Sequence, residues 1–154
     1  MDESETIKVG VGAVIFRGAD VLLIKRGKAP FKGQWSIPGG GLDYGEAVRD
    51  GLVREIREET GVEVTILGLL DVFEALPRPE GGDFAQHVVL IDYVCEWEAG
   101  EPVAGDDAVE AEFVSVETAL ERLSWDKTRE AVSRAVQIRR RLNPKFRTEP
   151  QNGP

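Results

Sequence analysis

The chain has 154 residues, of which 42% are hydrophobic and 31% are charged, and its formal net charge at pH 7 is -9. This length and composition are typical of a single globular domain with its own core, which we predict over residues 1–142. The negative charge argues against a nucleic-acid partner, because binding a phosphate backbone requires a basic surface. A small anionic substrate stays open, since a bound metal ion can invert the local field.

The sequence carries no sign of export or of a membrane segment. Cys95 is the one cysteine, so no intramolecular disulfide can form, which fits a reducing compartment. The N-terminal stretch MDESETIK is acidic and lacks the apolar run of a signal peptide. No apolar run is long enough to cross a bilayer. We therefore expect a cytoplasmic protein with no membrane partner.

The first half of the chain predicts a hairpin, a long loop and a helix. Residues 7–16 and 21–26 are rich in β-branched residues and are separated by a short turn, which indicates a β-hairpin. The segment 27–45 holds many Gly and Pro residues and predicts mostly loop. Helix formers dominate from Glu46 to Thr60, and Gly61 suits the position just after a helix end.

The second half predicts strands followed by helices. Residues 62–76 and 87–98 read as strands, 99–112 as loop with room for one helical turn, and 113–116 as a short strand. Residues 117–141 predict a helix that is broken near 123–126, and 143–154 predict a flexible tail. Strands mixed with two or three helices indicate an α/β fold, with a mixed β-sheet and helices packed on its faces.

The helix over 46–60 has an unusual distribution of acids. At 100° per residue, Leu52 and Ile56 mark its buried side. Glu55, Glu58 and Glu59 fall on or beside this same arc instead of opposite it. A solvated charged face would place them on the far side, and acids that extend a buried stripe are uncommon.

Three carboxylates gathered on one arc repel one another, so their negative charge requires compensation. A divalent cation is the simplest form, because Mg²⁺ prefers oxygen ligands and keeps sites for phosphate oxygens and water. A buried ion pair without metal is the alternative, and one arginine cannot balance three acids. Arg54, four residues before Glu58, is placed to pair with it. The preceding glycines 39–41 allow close approach of a phosphate or a metal.

These residues resemble a known motif. Gly40, then Glu46 six positions on, then the run REIREETGV over 54–62 fill every fixed position of the Nudix box. The flanking stretches VLLIKRG and WSIPGGG are similar to the same family. The resemblance implies a Nudix hydrolase: an α/β/α sandwich that uses Mg²⁺, or Mn²⁺ in its place, to cleave a nucleoside diphosphate linked to another group.

The resemblance also implies roles for individual residues. The implied metal ligands are Glu55, Glu58, Glu59 and the carbonyl of Gly39. The implied catalytic residues are these three glutamates and Arg54, which would orient them, while Glu46 would support the loop. Glu55 is one candidate for the base that activates water. The other candidates lie in a later loop and strand: Asp106, Asp107, Glu110 and Glu112. Each of these four residues is equally compatible with the role of an ordinary surface acid.

Substrate-binding residues are harder to predict. The candidates are Arg26, Trp35, Gly39, Gly40 and Phe73, although a solvated arginine and core aromatic residues are the ordinary alternatives. Pro77 stands near a proline of ADP-ribose-cleaving family members, and a simple turn proline explains it equally well.

We expect a small nucleotide substrate, with ADP-ribose or a related nucleoside diphosphate sugar preferred. The alternatives are an oxidised nucleoside triphosphate and a non-catalytic nucleotide-sensing module. An RNA-end pyrophosphohydrolase fits the net charge poorly. A homodimer stays open, since nothing in the sequence decides the oligomeric state.

Overall fold

The strands and helices follow the predicted order. The computed structural model describes residues 5–143 and Lys145. Its seven strands are β1 (Ile7–Arg17), β2 (Asp20–Arg26), β3 (Trp35–Ser36), β4 (Gly39–Gly41), β5 (Glu63–Ala75), β6 (His87–Ala99) and β7 (Ala108–Ser115). Its α-helices are α1 (Val48–Thr60), α2 (Val116–Arg122) and α3 (Asp126–Leu142), and a 3₁₀ turn covers Gly82–Phe84.

The strands form one mixed sheet. Along its main path the order is β3-β2-β1-β6-β5, with β1 and β6 parallel and the other neighbours antiparallel. β7 pairs with β2, while β4 pairs with residues 10–12 of β1, next to the part of β1 that β2 occupies. On this side β1 therefore has two neighbours, β2 near its C-terminal end and β4 at the level of Gly12. The mixed sheet predicted from the sequence is confirmed.

Helices cover both faces of this sheet. On one face, Leu52 and Ile56 of α1 pack against a buried cluster that includes Val11, Tyr93 and Cys95. On the other face, Ala119 of α2 and Ala131 and Val132 of α3 pack in a second cluster. Its strand members, among them Val14, Phe16 and Val94, come from the alternate positions of the same strands. This alternation is the expected result of the two-residue period of a strand. The predicted α/β/α sandwich is confirmed.

The helix boundaries follow local chemistry. Gly61 has φ 71°, a left-handed conformation that favours glycine, and its N–H donates to the carbonyl of Arg57, which ends α1. The hydroxyl of Ser115 accepts a hydrogen bond from the N–H of Thr118 and so caps α2. Residues 123–125 separate α2 from α3, as the sequence predicted. Among the helices of the described residues, none combines the length and apolar character needed to cross a membrane.

Two segments differ from the sequence predictions. Gly39–Gly41 is a strand, although glycine disfavours strands, because it supplies partners for the backbone groups of Gly10 to Gly12. β7 begins at Ala108, inside the predicted loop, because it pairs with β2 back to Arg26. The predicted tail over 143–154 lies outside the described residues, apart from Asn143 and Lys145.

Candidate active site

Glu55 and Glu59 of α1 turn inward, as the angular pattern predicted, whereas Glu58 is exposed. Glu59 is 5% exposed, while the side chains of Glu55 and Glu58 are 12% and 47% exposed. The three acids thus run from a buried position to the rim of one site. This gradient places at least one carboxylate where a ligand from solvent can reach it.

Arg54 holds the acidic residues in place. Its Nε donates to Glu46 at 2.6 Å, and its Nη1 donates to Glu55 at 2.9 Å and to Glu58 at 3.0 Å. Its Nη2 donates to the carbonyl of Gly41 at 3.1 Å. These bonds lower the pKa of the Glu46 carboxyl to about 2 and raise the pKa of Arg54. The Arg54–Glu58 pair predicted from the sequence is present, and the same guanidinium also fixes the glycine loop.

Glycines 39 and 40 allow the loop to approach α1 closely. The N–H of Gly39 donates to Oε1 of Glu59 at 2.9 Å. A Cβ atom on Gly40 would lie 2.1 Å from the carboxylate of Glu55, so a larger residue would displace that carboxylate. A Cβ on Gly39 would lie 2.2 Å from the carbonyl oxygen of Val11. Because the contact at Gly39 is with backbone, glycine is a steric requirement at that position.

The site holds more negative charge than the protein compensates. Burial raises the pKa of Glu59 to about 7, against the opposing effect of the Gly39 N–H, and neighbouring Glu55 and Asp106 raise it further. Burial likewise raises the pKa of Glu55, although Arg54 opposes the shift. Carboxyl pKa values that stay raised despite Arg54 and Arg26 are those expected where a cation completes the charge balance.

Asp106 is the late-loop acid that reaches this cluster. Carboxylate oxygens of Glu55, Glu58 and Asp106 all lie within 4.8 Å of one another. Asp106 has φ 51°, an uncommon conformation for a non-glycine residue that often marks functional sites. Its loop is anchored to the end of α1, where the N–H of Gly105 donates to the carbonyl of Glu59 at 2.9 Å.

The remaining late acids have other partners. Their ion pairs are Asp107 with Lys28 at 3.1 Å, Glu110 with Lys25 at 3.5 Å, and Glu112 with Arg122 at 2.9 Å. The sequence treated the four acids alike and considered them only as bases. It did not identify Asp106 as a member of the carboxylate group, because the bond from Gly105 to α1 has no signature in residue spacing.

The predicted substrate-binding residues fall into two groups. Arg26 faces the glutamates closely enough to lower the pKa of Glu59, and its Nε donates to the carbonyl of Pro30 at 2.5 Å. Trp35 and Phe73 instead pack with the cluster on the α2–α3 face. The guanidinium of Arg122 lies 4.7 Å from the Trp35 ring centroid, and Phe73 is 8% exposed. The two aromatic residues therefore lie across the sheet from α1.

Comparison with known proteins identifies the family of this chain. Residues 6–136 match the family described as the NUDIX domain, which covers most of the chain. The chain belongs to the Nudix hydrolase family. Nudix enzymes act on small nucleotide substrates and generally use divalent metals, and the carboxylate cluster of this Nudix hydrolase is of a kind that can bind one.

Individual relatives agree with this assignment. The Nudix chain is 41% identical over 118 residues to an ADP-ribose pyrophosphatase of Methanocaldococcus jannaschii, covering 77% of this chain and 67% of that protein. It is 39% identical over 69 residues to an 8-oxo-dGDP phosphatase of Danio rerio, covering 44% of this chain and 21% of that protein. A solved MutT NUDIX hydrolase from Burkholderia pseudomallei superposes with a TM-score of 0.71 at 32% identity, covering 84% of this chain and 98% of that one.

Proposed function

We propose that this Nudix hydrolase is a divalent-metal-dependent pyrophosphohydrolase that cleaves ADP-ribose or a related nucleoside diphosphate sugar. The observation that carries the proposal is the meeting of Glu55, Glu58 and Asp106 within 4.8 Å, beside the glycine loop. The similarity to an archaeal ADP-ribose pyrophosphatase over 77% of the chain supports the choice of substrate.

The donor set suits a hard cation. Mg²⁺ and Mn²⁺ prefer carboxylate and carbonyl oxygen, and the site offers the carboxylates of Glu55, Glu58 and Asp106. The sequence also proposed Glu59 and the carbonyl of Gly39 as ligands; Glu59 is buried and accepts a hydrogen bond from the N–H of Gly39. When bound, Mg²⁺ would neutralise charge on the diphosphate oxygens and make an attacking water more acidic.

The protein residues have distinct tasks in this reaction. A water oxygen attacks one phosphorus of the diphosphate, and the bridging oxygen leaves with the other phosphate, so ADP-ribose gives AMP and ribose 5-phosphate. A carboxylate accepts the proton of the attacking water, and Glu55 and Asp106 are the candidates placed for that role. Arg54 keeps the carboxylates in position through its hydrogen bonds to Glu46, Glu55 and Glu58.

A substrate panel tests the proposal. ADP-ribose, other nucleoside diphosphate sugars, dinucleoside polyphosphates and nucleoside triphosphates, including 8-oxo-dGTP, are assayed with Mg²⁺ and with Mn²⁺. We expect the highest kcat/KM for ADP-ribose or another nucleoside diphosphate sugar, and no turnover in EDTA. A clear preference for 8-oxo-dGTP would favour the alternative considered from the sequence, an oxidised nucleoside triphosphate. Undiminished activity in EDTA would reject metal dependence.

A further inference from the structure

The loop between β5 and β6 contacts the loop that follows β2 at two points. Oδ1 of Asp83 accepts a hydrogen bond from the N–H of Phe31 at 2.9 Å. The rings of Phe84 and Phe31 meet edge to face, with their centroids 5.2 Å apart. The proposed chemistry assigns no role to this contact, although the second loop begins directly after Arg26.

The hydrogen bond from Asp83 acts on the peptide group that holds Arg26. Nε of Arg26 donates to the carbonyl oxygen of Pro30 at 2.5 Å. That carbonyl and the N–H of Phe31 belong to the same peptide group, which is planar and rotates as one unit. One peptide group is therefore bonded to Asp83 on one side and to Arg26 on the other, so the first bond sets the direction of the second.

The backbone at Phe31 depends on its neighbours. Its φ is 60°, an uncommon conformation for a bulky residue, which persists only where surrounding contacts hold it. Its carbonyl oxygen accepts a hydrogen bond from the N–H of Gln34 at 3.1 Å, and its N–H and its ring are held by Asp83 and Phe84. Asp83 is thus one of the few contacts that keep the Pro30–Phe31 peptide in this orientation.

The loop that presents Asp83 is closed on itself. The N–H of Arg78 donates to the carbonyl of Phe84 at 2.7 Å, and the N–H of Phe84 donates to the carbonyl of Gly81 at 3.0 Å. The guanidinium of Arg78 also lies 4.2 Å from the ring centroid of Phe84. Because these bonds fix the turn around Asp83, its carboxylate can serve as a firm acceptor for the neighbouring loop.

Arg26 stands beside the carboxylate group of the candidate active site. The next residue, Gly27, donates its N–H to the carbonyl of Asp107 at 2.7 Å, directly after Asp106. Burial raises the pKa of Glu59, and the charge of Arg26 opposes that shift. A guanidinium in this place can form charge-assisted hydrogen bonds with the oxygens of a diphosphate bound at the same site.

We propose that Asp83 is a positioning residue for substrate binding, which orients the Arg26 guanidinium toward the diphosphate through the Pro30–Phe31 peptide. This inference rests on the proposed function, because it requires a diphosphate at the acidic site. Asp83 does not contact the substrate in this arrangement. When its carboxylate is removed, the peptide is free to rotate, and Arg26 loses the fixed acceptor that directs its side chain.

The first test compares Asp83→Ala and Asp83→Asn with the parent on its preferred substrate in Mg²⁺. For Asp83→Ala we expect KM to rise about fivefold while kcat stays within about twofold, because a binding contact is weakened. Asp83→Asn keeps an acceptor oxygen for the N–H of Phe31, so its KM should stay within about twofold. Glu80→Ala, at an exposed acid of the same loop, is the matched control. Thermal unfolding checks that each variant is folded.

A double-mutant cycle tests whether Asp83 acts through Arg26. Arg26→Ala alone should raise KM about thirtyfold, because a charge-assisted contact with the substrate is lost. Adding Asp83→Ala to Arg26→Ala should then change KM by less than about twofold, since the side chain that Asp83 directs is already absent. A merely structural role of Asp83 would give the same fivefold loss in both backgrounds.

A ligand that cannot be cleaved separates this inference from the proposed function. Binding of α,β-methylene-ADP in Mg²⁺ is measured calorimetrically for the same variants, and we expect its Kd to follow the pattern of KM. If the parent cleaves no nucleoside diphosphate sugar, the proposed function is wrong, and this titration still tests Asp83. An unchanged Kd in Asp83→Ala, equal losses in Asp83→Ala and Asp83→Asn, or an undiminished effect of Asp83→Ala beside Arg26→Ala would overturn the assignment.

Discussion

The two faces of the sheet treat buried carboxyl groups differently. On the α1 face, Arg54 binds Glu46, Glu55 and Glu58, and a backbone N–H binds Glu59, yet the acids still outnumber the cations. On the α2–α3 face, Asp71 pairs with Arg134 and Glu96 pairs with Arg139, whereas Asp92 has no ion pair within the described residues. The first arrangement is a shared excess of charge, which suits a metal ion, and the second is a single buried carboxyl without a cation. The comparison teaches that gathered acids require a cation, whereas a lone buried acid can keep its proton instead.

The largest expected effect is on the α1 face. Glu58→Gln removes one charge from the carboxylate group while keeping the side-chain shape, so the fold should persist. We expect kcat/KM for the preferred substrate with Mg²⁺ to fall about 10³-fold, about 4 kcal/mol of transition-state stabilisation. Asp50→Asn, an exposed acid on the same helix, is the matched control and should retain activity within about twofold. A Glu58→Gln enzyme as fast as the parent would show that the proposed metal site is wrong.

A pair of glycine variants tests how closely β4 approaches β1. In Gly39→Ala the new Cβ would lie 2.2 Å from the carbonyl oxygen of Val11 and 2.8 Å from Cα of Gly12, both backbone atoms that cannot move cheaply. In Gly41→Ala nothing lies within 4 Å. We expect Gly39→Ala to lose about 3 kcal/mol of unfolding free energy and Gly41→Ala to change it by less than about 0.5 kcal/mol.

Urea unfolding at constant pH measures both variants. Since Gly39 and Gly41 sit two residues apart in one strand, a difference between them cannot arise from general effects of glycine on the unfolded chain. Equal losses in the two variants would contradict the close approach of β4 to β1.

The sequence predicted the α1 face better than the opposite one. The position of the glutamates followed from helical periodicity, and Arg54 was found because a helix brings residues four apart together. Asp106 was not singled out, since its place depends on backbone hydrogen bonds from its loop to α1. Asp92 was hidden inside a typical strand, because its burial appears only when β1 and β5 are placed beside it.

The same contrast explains the errors in secondary structure. Gly39–Gly41 and the first residues of β7 have poor strand propensity, and they are strands because neighbouring strands need partners. Local composition predicts elements whose own residues favour that structure, such as α1 with Gly61 at its end. Local composition misses strands that form because a neighbouring strand pairs with their backbone.

The smallest expected effect concerns the pH dependence of stability that Asp92 causes. Burial raises the pKa of its carboxyl from an ordinary value of 3.8 to about 7 in the folded protein, so between these values the unfolded chain loses a proton that the folded protein keeps. Unfolding then releases a proton, and this group makes the protein less stable as pH rises from about 4 to about 7. The full shift corresponds to about 4 kcal/mol, and we expect about half of this to be measured after local relaxation.

Asp92→Asn removes this pH dependence of stability because the amide does not ionise. Relative to the parent, the unfolding free energy of Asp92→Asn should therefore rise by about 2 kcal/mol between pH 4.5 and pH 8, as measured by urea unfolding. The other carboxyl groups, including those around Arg54, are common to both proteins and cancel in the difference. Asp50→Asn again supplies the control, with a flat difference across this range. A flat difference for Asp92→Asn as well would mean that burial does not raise the pKa of Asp92 in solution, and the contrast between the two faces would then disappear.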